Sequence, residues 1–233
     1  MSVRFLPPGT RAVFFDAVGT VLHPDPAAEV VYAEAAARYE LLADPAAISR
    51  RFREAFRREE EADERAGWIT DELREFARWQ TIVQATLPGT PSDCFWDLYT
   101  HFAEPGAWRV PADVPAVFAH LEDQGMILGL ASNYDHRLMS VLRGHPELEP
   151  LSDRVLISSQ IGVRKPGAEF FRILAEVSKC RPDEIMLVGD DLENDYLGAT
   201  AAGMHAVLLD PLGRHPDMPK RVESLKGLIE PEA

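Results

Sequence analysis

Only two cysteines occur in the 233 residues, Cys94 and Cys180. Two thiols so far apart make neither a disulfide framework nor a pair with metal-ligand spacing. Reduced, structural thiols in a cytoplasmic protein are the expectation. Long apolar runs are missing as well. Met1 to Thr10 has no signal-peptide core, and no later stretch is apolar for long enough to cross a bilayer. Positive charge is in short supply: 24 basic residues stand against 38 acidic ones, for a net charge of −14. A surface this acidic repels phosphate backbones and anionic membranes, so neither nucleic acid nor membrane is expected as a partner. Any anionic substrate must be drawn in by a local positive group. Lysines are few; only Lys165, Lys179, Lys220 and Lys226 are present.

What is present is ordinary for a globular chain: 46% hydrophobic and 27% charged residues. The length suits one sizeable core and a smaller accessory domain. A short apolar run, Ala12 to Phe15, ends at Asp16 and is followed by Gly19 and Thr20. Similar runs recur at Ile127–Ala131, Val155–Ile157, Ile185–Val188 and Ala206–Leu209. Helical segments separate most of them. One is bounded by Asp113 and Gly125, read as a cap at each end, and another runs from about Gly167 to Val177. Alternation of this kind predicts an α/β fold, a parallel sheet covered by helices. From Pro24 to Pro105 the pattern is helical throughout. Asp25-Pro26 and Asp44-Pro45 resemble N-caps followed by proline, and Val31, Ala35, Tyr39 and Leu42 keep helical spacing. The predicted organisation is a core of residues 1–22 and 106–233 interrupted by a helical block over 23–105. The acidic run Glu59–Glu61 with Asp63 and Glu64 reads as a solvated helix face. Trp68, Trp79 and Trp96 read as packing residues.

Four segments carry possible chemistry, each after a predicted strand. In Asp16-Ala-Val-Gly-Thr20 the aspartate leaves a strand where open α/β sheets place their ligands. Ser132 and Asn133 offer a hydroxyl and an amide that suit a phosphoryl oxygen or, equally, a helix cap. Lys165, before Pro166, offers a compact ammonium for an anion. Asp190, Asp191, Glu193 and Asp195 crowd carboxylates together, and a hard divalent ion relieves such repulsion. Each segment alone has a plain structural explanation; their order, with a helical insert after the first, is far more specific.

With these residues in place, the chain resembles the haloacid dehalogenase-like superfamily over nearly its full length. The insert looks like that family's first-type cap on a Rossmann-like core. Ser132-Asn133-Tyr-Asp135-His-Arg137-Leu138 and Val188-Gly-Asp190 resemble the subgroup related to the rhythmically-expressed-gene-two protein. The resemblance implies a hydrolase acting on a small phosphorylated metabolite, with Asp16 as the nucleophile forming an aspartyl-phosphate. Thr20, Ser132, Asn133 and Lys165 would hold the phosphoryl group. Asp16, Asp190 and the backbone carbonyl of Val18 would coordinate Mg²⁺, with Asp195 ligating it or orienting a bound water.

One position departs from the family pattern. Phosphatases of the superfamily usually carry a second aspartate two residues after the nucleophile, and here Val18 stands there. That aspartate acts as general acid and base, help whose loss costs ~10²–10⁴-fold in rate. Three readings follow: a phosphatase with a good leaving group or another proton donor such as His23; a different reaction; or a phosphate- or protein-binding module. The second falls. Haloacid dehalogenases lack the Gly-Asp signature of the fourth segment, and Schiff-base phosphonate hydrolases need a cap lysine, whereas no lysine lies between Asp16 and Lys165.

Overall fold

The computed structural model describes residues 5–41 and 44–229. Its strands are β1 (Ala12–Phe15), β2 (His23–Pro24), β3 (Trp108–Arg109), β4 (Ile127–Ser132), β5 (Val155–Ile157), β6 (Ile185–Gly189), β7 (His205–Leu209) and β8 (Arg221–Val222). All five expected apolar runs are strands, and the short β8 adds an edge that the sequence pattern does not signal. Six strands form one parallel sheet in the order β5-β4-β1-β6-β7-β8. Strand β1 is buried along its whole length, with Val13 and Phe15 in one apolar cluster and Ala12 and Phe14 in another. That is the period-two division of a strand covered on both faces. Phe15 pairs with Leu130 on one side and Val188 on the other. This register brings the chain exits of β1, β4 and β6 to the same edge of the sheet.

The helical insert comprises α1 (Ala28–Arg38), α2 (Pro45–Arg65), α3 (Glu72–Thr86) and α4 (Ser92–His101). These helices enclose their own apolar cluster, including Tyr32, Ile48, Val83, Phe95 and Leu98. They form an all-helical cap joined to the core through the antiparallel β2–β3 ribbon. Helix α2 starts as expected: Asp44 accepts a hydrogen bond from the Ala47 N–H at 3.1 Å, with Pro45 at the first helical position. Asp25 does not cap α1, which begins at Ala28; its N–H donates instead to the Ala107 carbonyl, extending the ribbon. The expected helical residue Leu42 lies outside the described residues. In the core follow α5 (Val114–Asp123) and α6 (Arg137–Arg143). Asp113 precedes α5 without capping it, because its carboxylate accepts from the Lys226 N–H at 2.9 Å. The helix expected near Gly167 to Val177 spans Ala168–Ser178.

The acidic run on α2 is a solvated face only at Glu61 and Glu64; Glu59, Glu60 and Asp63 turn toward arginines instead. Asp63 is 0% exposed. It accepts from Arg74 Nε at 2.8 Å and from Arg78, itself buried on α3. Glu60 binds both Arg78 and Arg164, and Arg164 also pairs with the buried Glu75. Arg164 belongs to the core, so one interior ionic cluster ties cap to sheet. A second tie runs from Glu72, in the first turn of α3, to Ser159 Oγ at 2.5 Å and His136 Nδ1 at 2.6 Å. No helix among the described residues is long and apolar enough to cross a membrane.

Candidate active site

Asp16 is the first residue beyond β1, and its N–H still donates to Val188 on β6 at 2.8 Å. The ladder therefore fixes the backbone that presents the carboxylate. Lys165 is almost wholly buried, at 1% exposure, and its ammonium makes three bonds. Nζ donates to Asp16 Oδ1 at 2.7 Å, to Asp195 Oδ1 at 2.6 Å and to the Ala131 carbonyl at 2.7 Å. Burial alone would lower its pKa, but Asp16 and Asp195 hold it well above the ordinary lysine value. Lys165 is thus a fixed positive charge.

Asn133 is what aims that lysine. Its amide donates to the Lys165 carbonyl and its oxygen accepts from the Lys165 N–H, both at 2.8 Å. A reciprocal pair of this kind fixes a loop backbone as a strand partner would. Ser132 ends β4, is buried, and lines the same cavity as Asp16 and Lys165. Thr20 is fully buried and is not on the cavity wall; its hydroxyl faces Asp190 Oδ1 at 3.5 Å, the long limit of a hydrogen bond. Its contact is with the carboxylate rather than with the space above it.

Asp16, Asp190 and Asp195 offer carboxylate oxygens that all lie within 4.8 Å of one another. Surrounding protein mass, then the charges of Asp16, Asp195 and Asp191, push the Asp190 carboxyl up to about 8, although it opens onto the cavity. Burial likewise raises Asp195 to about 7, with Lys165 pulling against the shift. Three carboxylates around one ammonium are short of positive charge. The donors are hard oxygens, one of them facing open space, and the set suits a divalent cation with oxygen ligands. Asp195 is the most occupied of the three: Oδ1 accepts from Lys165, and Oδ2 accepts from the Asp191 N–H at 3.1 Å.

Two glycines let these carboxylates approach the backbone. Gly19 has φ +95°, and a Cβ there would lie 2.3 Å from Asp190 Oδ2. A Cβ on Gly189 would lie 2.1 Å from Asp195 Oδ2. Gly19 was visible in sequence as a turn residue, whereas the need for Gly189 depends on a side chain six positions later.

Val18 lines the cavity beside Asp16. No histidine shares that wall among the described residues, and its carboxylates are Asp16, Asp190, Asp191 and Asp195. Asp191 is engaged as a cap, accepting from the N–H groups of Glu193 and Asn194 at 2.9 Å. His23 sits in the ribbon opposite Arg109, while its neighbour Pro24 reaches the cavity. Burial, and then Arg109, depress the His23 pKa below the ordinary imidazole value. Neither its position nor its protonation favours it as a proton donor at Asp16.

The Ala131 carbonyl and the role of Arg164 escape sequence reasoning. A carbonyl leaves no trace in residue identity, and the one hint of Arg164 is its place beside Lys165. Comparison with known proteins adds a second line. The family model for haloacid dehalogenase-like hydrolase matches residues 10–203. "Haloacid dehalogenase-like hydrolase domain-containing protein 3" of Bos taurus is 27% identical over 206 residues, covering 85% of this chain and 81% of the relative. A ribulose-1,5-bisphosphate 5-phosphatase of Halopiger xanaduensis is 29% identical over 119 residues, 51% of this chain and 48% of that protein. Among solved structures, the L-2-haloacid dehalogenase RSc1362 superposes with a TM-score of 0.74 at 19% identity, over 95% of this chain and 97% of that one, a likeness of fold. With its parallel sheet, its helical cap and the matched span of residues 10–203, this chain belongs to the haloacid dehalogenase-like hydrolases.

Proposed function

We propose that the protein is a Mg²⁺-dependent phosphatase for a small phosphorylated metabolite, working through an aspartyl-phosphate on Asp16. The observation that carries this reading is the convergence on one cavity of the Asp16 carboxylate, the Lys165 ammonium 2.7 Å away and the carboxylates of Asp190 and Asp195. The phosphatase name of one relative is consistent with it. Asp16 and Asp190, with the Val18 carbonyl, would hold the ion, and Asp195, both of whose oxygens are engaged, would orient its water. Bound there, Mg²⁺ would supply positive charge against the phosphoryl oxygens.

The Asp16 carboxylate attacks phosphorus through the oxygen that Lys165 leaves open, and the bond to the leaving oxygen breaks. Ser132 offers its hydroxyl to a phosphoryl oxygen, and Lys165, its three N–H groups engaged with Asp16, Asp195 and the Ala131 carbonyl, lends positive charge beside the nucleophile, held in line by Asn133. Water then attacks phosphorus and releases a proton to solvent, the bond to Asp16 breaks with its electron pair returning to the carboxylate, and phosphate departs. At Val18 no group donates a proton in the first step or accepts one in the second. The leaving oxygen therefore departs as an anion and takes its proton from solvent.

Turnover should accordingly depend steeply on leaving-group acidity, with aryl and acyl phosphates far ahead of alkyl phosphates. Val18→Asp should narrow that gap by helping alkyl substrates most, by ~10²-fold if the carboxyl is well placed. Val18→Asn is the near-isosteric control, and melting curves accompany both. Equal rates for alkyl and aryl phosphates in the wild type, with chemistry rate-limiting, would defeat this account of Val18. Lys165→Met should weaken inhibition by orthophosphate roughly 10–100-fold, because the positive charge that offsets Asp16 and the incoming anion is lost. Unchanged inhibition would place Lys165 outside the phosphoryl pocket.

The lack of an acid also favours a second reading, a phosphate-binding module with incidental hydrolysis. Asp16-dependent release of phosphate in the presence of Mg²⁺, lost with chelator and restored by the metal, decides between them.

A further inference from the structure

The cavity above Asp16 has a volume of about 400 Å³, within the range of small-molecule sites. Its floor is polar, while its walls, apart from Arg137 and Asn194, are mostly aromatic. Phe52, Phe56 and Trp79 come from the cap, Phe102 follows α4, Trp108 belongs to the ribbon, and Tyr134 rises from the core. The polar tips of the last two are turned to one carbonyl: Trp108 Nε1 donates to the Phe102 carbonyl at 3.3 Å, and the Tyr134 hydroxyl to the same oxygen at 3.4 Å. What they offer the cavity is ring carbon. Arg137, which lines the cavity as Lys165 does, has its guanidinium held by Asp135 and by the Tyr99 carbonyl at 3.0 Å.

We propose that these walls receive a flat aromatic ring, so that the substrate is an aryl phosphate, the phosphate ester of a phenol-type hydroxyl. This rests on the reading of Asp16 as phosphoryl acceptor. A sugar or polyol in the same space would give up its bonds to water and find aromatic faces in return, an exchange that polar groups do not tolerate well. A ring gains instead from burial and from edge or offset contacts with its neighbours. The second support is independent of the walls. Val18 provides no proton, and a phenol, with an ordinary pKa of ~10, leaves as its anion far more readily than an alcohol does. As the Asp16–phosphorus bond forms, the aryl oxygen keeps the bonding electron pair and takes a proton from water. One chemical class satisfies both the shape and the missing acid.

Ring preference is separable from leaving-group acidity by ligands that have no leaving group. Calorimetric titration of the Mg²⁺-loaded protein with phenylphosphonate and methylphosphonate should show at least tenfold tighter binding of the phenyl compound. The ratio of the two affinities should fall in Phe56→Ala and again in Trp79→Ala. Because the ratio is taken within each variant, a general loss of folded protein cannot imitate its fall. Acetyl phosphate, which carries no ring and leaves readily, reports on Asp16 alone. Equal phosphonate affinities beside Asp16-dependent turnover of acetyl phosphate would overturn the ring site and leave the phosphatase reading standing. So would a hexose phosphate that binds more tightly than phenylphosphonate. No Asp16-dependent phosphate release from either acetyl or phenyl phosphate would overturn both.

Discussion

Asp16→Asn should abolish phosphate release, with turnover falling by about 10⁴-fold or more, the scale on which loss of a covalent nucleophile is felt. The substitution is nearly isosteric, so the packing around β1 has no reason to change. The side chain sits 2.7 Å from Lys165 Nζ, and an amide oxygen can still accept that bond. What is lost is the negative charge and the ability to displace an oxygen from phosphorus. Charge repulsion in the site should fall at the same time, because Asp190 and Asp195 are both raised in part by Asp16. The melting temperature should therefore hold or rise while activity disappears. Phosphate release and a melting curve on the same preparation check both halves. Residual turnover near the wild-type rate would remove Asp16 from the chemistry and leave the binding-module reading in possession of the site.

The second large effect lies away from the chemistry. Asp63→Ala should cost about 3–5 kcal/mol, as expected when one partner of a buried ion pair is deleted and the other remains. Asp63 is enclosed on all sides and meets Arg74, Arg78 and Arg164. Arg78 is already strained electrostatically, its pKa lowered by burial and by the neighbouring Arg164. Without Asp63, two buried guanidiniums depend on Glu60 and Glu75 alone. For a protein of this size the loss corresponds to a fall of roughly 6–20 °C in melting temperature. Adding Arg78→Met to the alanine variant should recover part of it, since the stranded charge goes too. Urea melts of the two single variants and the double variant close the cycle. A single-variant loss below ~1 kcal/mol would mean that the cluster is hydrated and contributes as little as a surface pair.

These cases also show where sequence reading reaches and where it stops. The five main strands were legible because each is a short apolar run followed by turn or chemistry-bearing residues, and burial on both faces demands such runs. Asp16, Ser132, Lys165 and Asp190 stood out as candidates because each lies at or beyond the end of an apolar run, and a parallel sheet gathers such positions at one edge. The buried ionic cluster was not. Glu60 and Arg164 are 104 residues apart, and on α2 alone the acidic residues follow the pattern of an exposed face. Only the arrival of core and α3 arginines reverses that reading. Asp113 is a similar case, since its bond to Lys226 spans 113 positions. Asn133 was singled out as a phosphoryl contact; its two side-chain bonds are to the Lys165 backbone, and no local pattern encodes a clamp between two loops.

The tryptophans on the cavity wall have an optical consequence. Of four in the chain, Trp79 and Trp108 line the cavity, one from the cap and one from the ribbon, while Trp96 is half exposed, does not line it, and packs against Phe76, Phe95 and Tyr99. Indole emission shifts with the polarity and mobility of what surrounds it. Filling the space between Trp79 and Trp108 replaces water by ligand against both rings, so the molecule carries an intrinsic fluorophore pair that reports occupancy without label or turnover. Ligands that never react, and variants that have lost their chemistry, are thereby as easy to follow as the active protein.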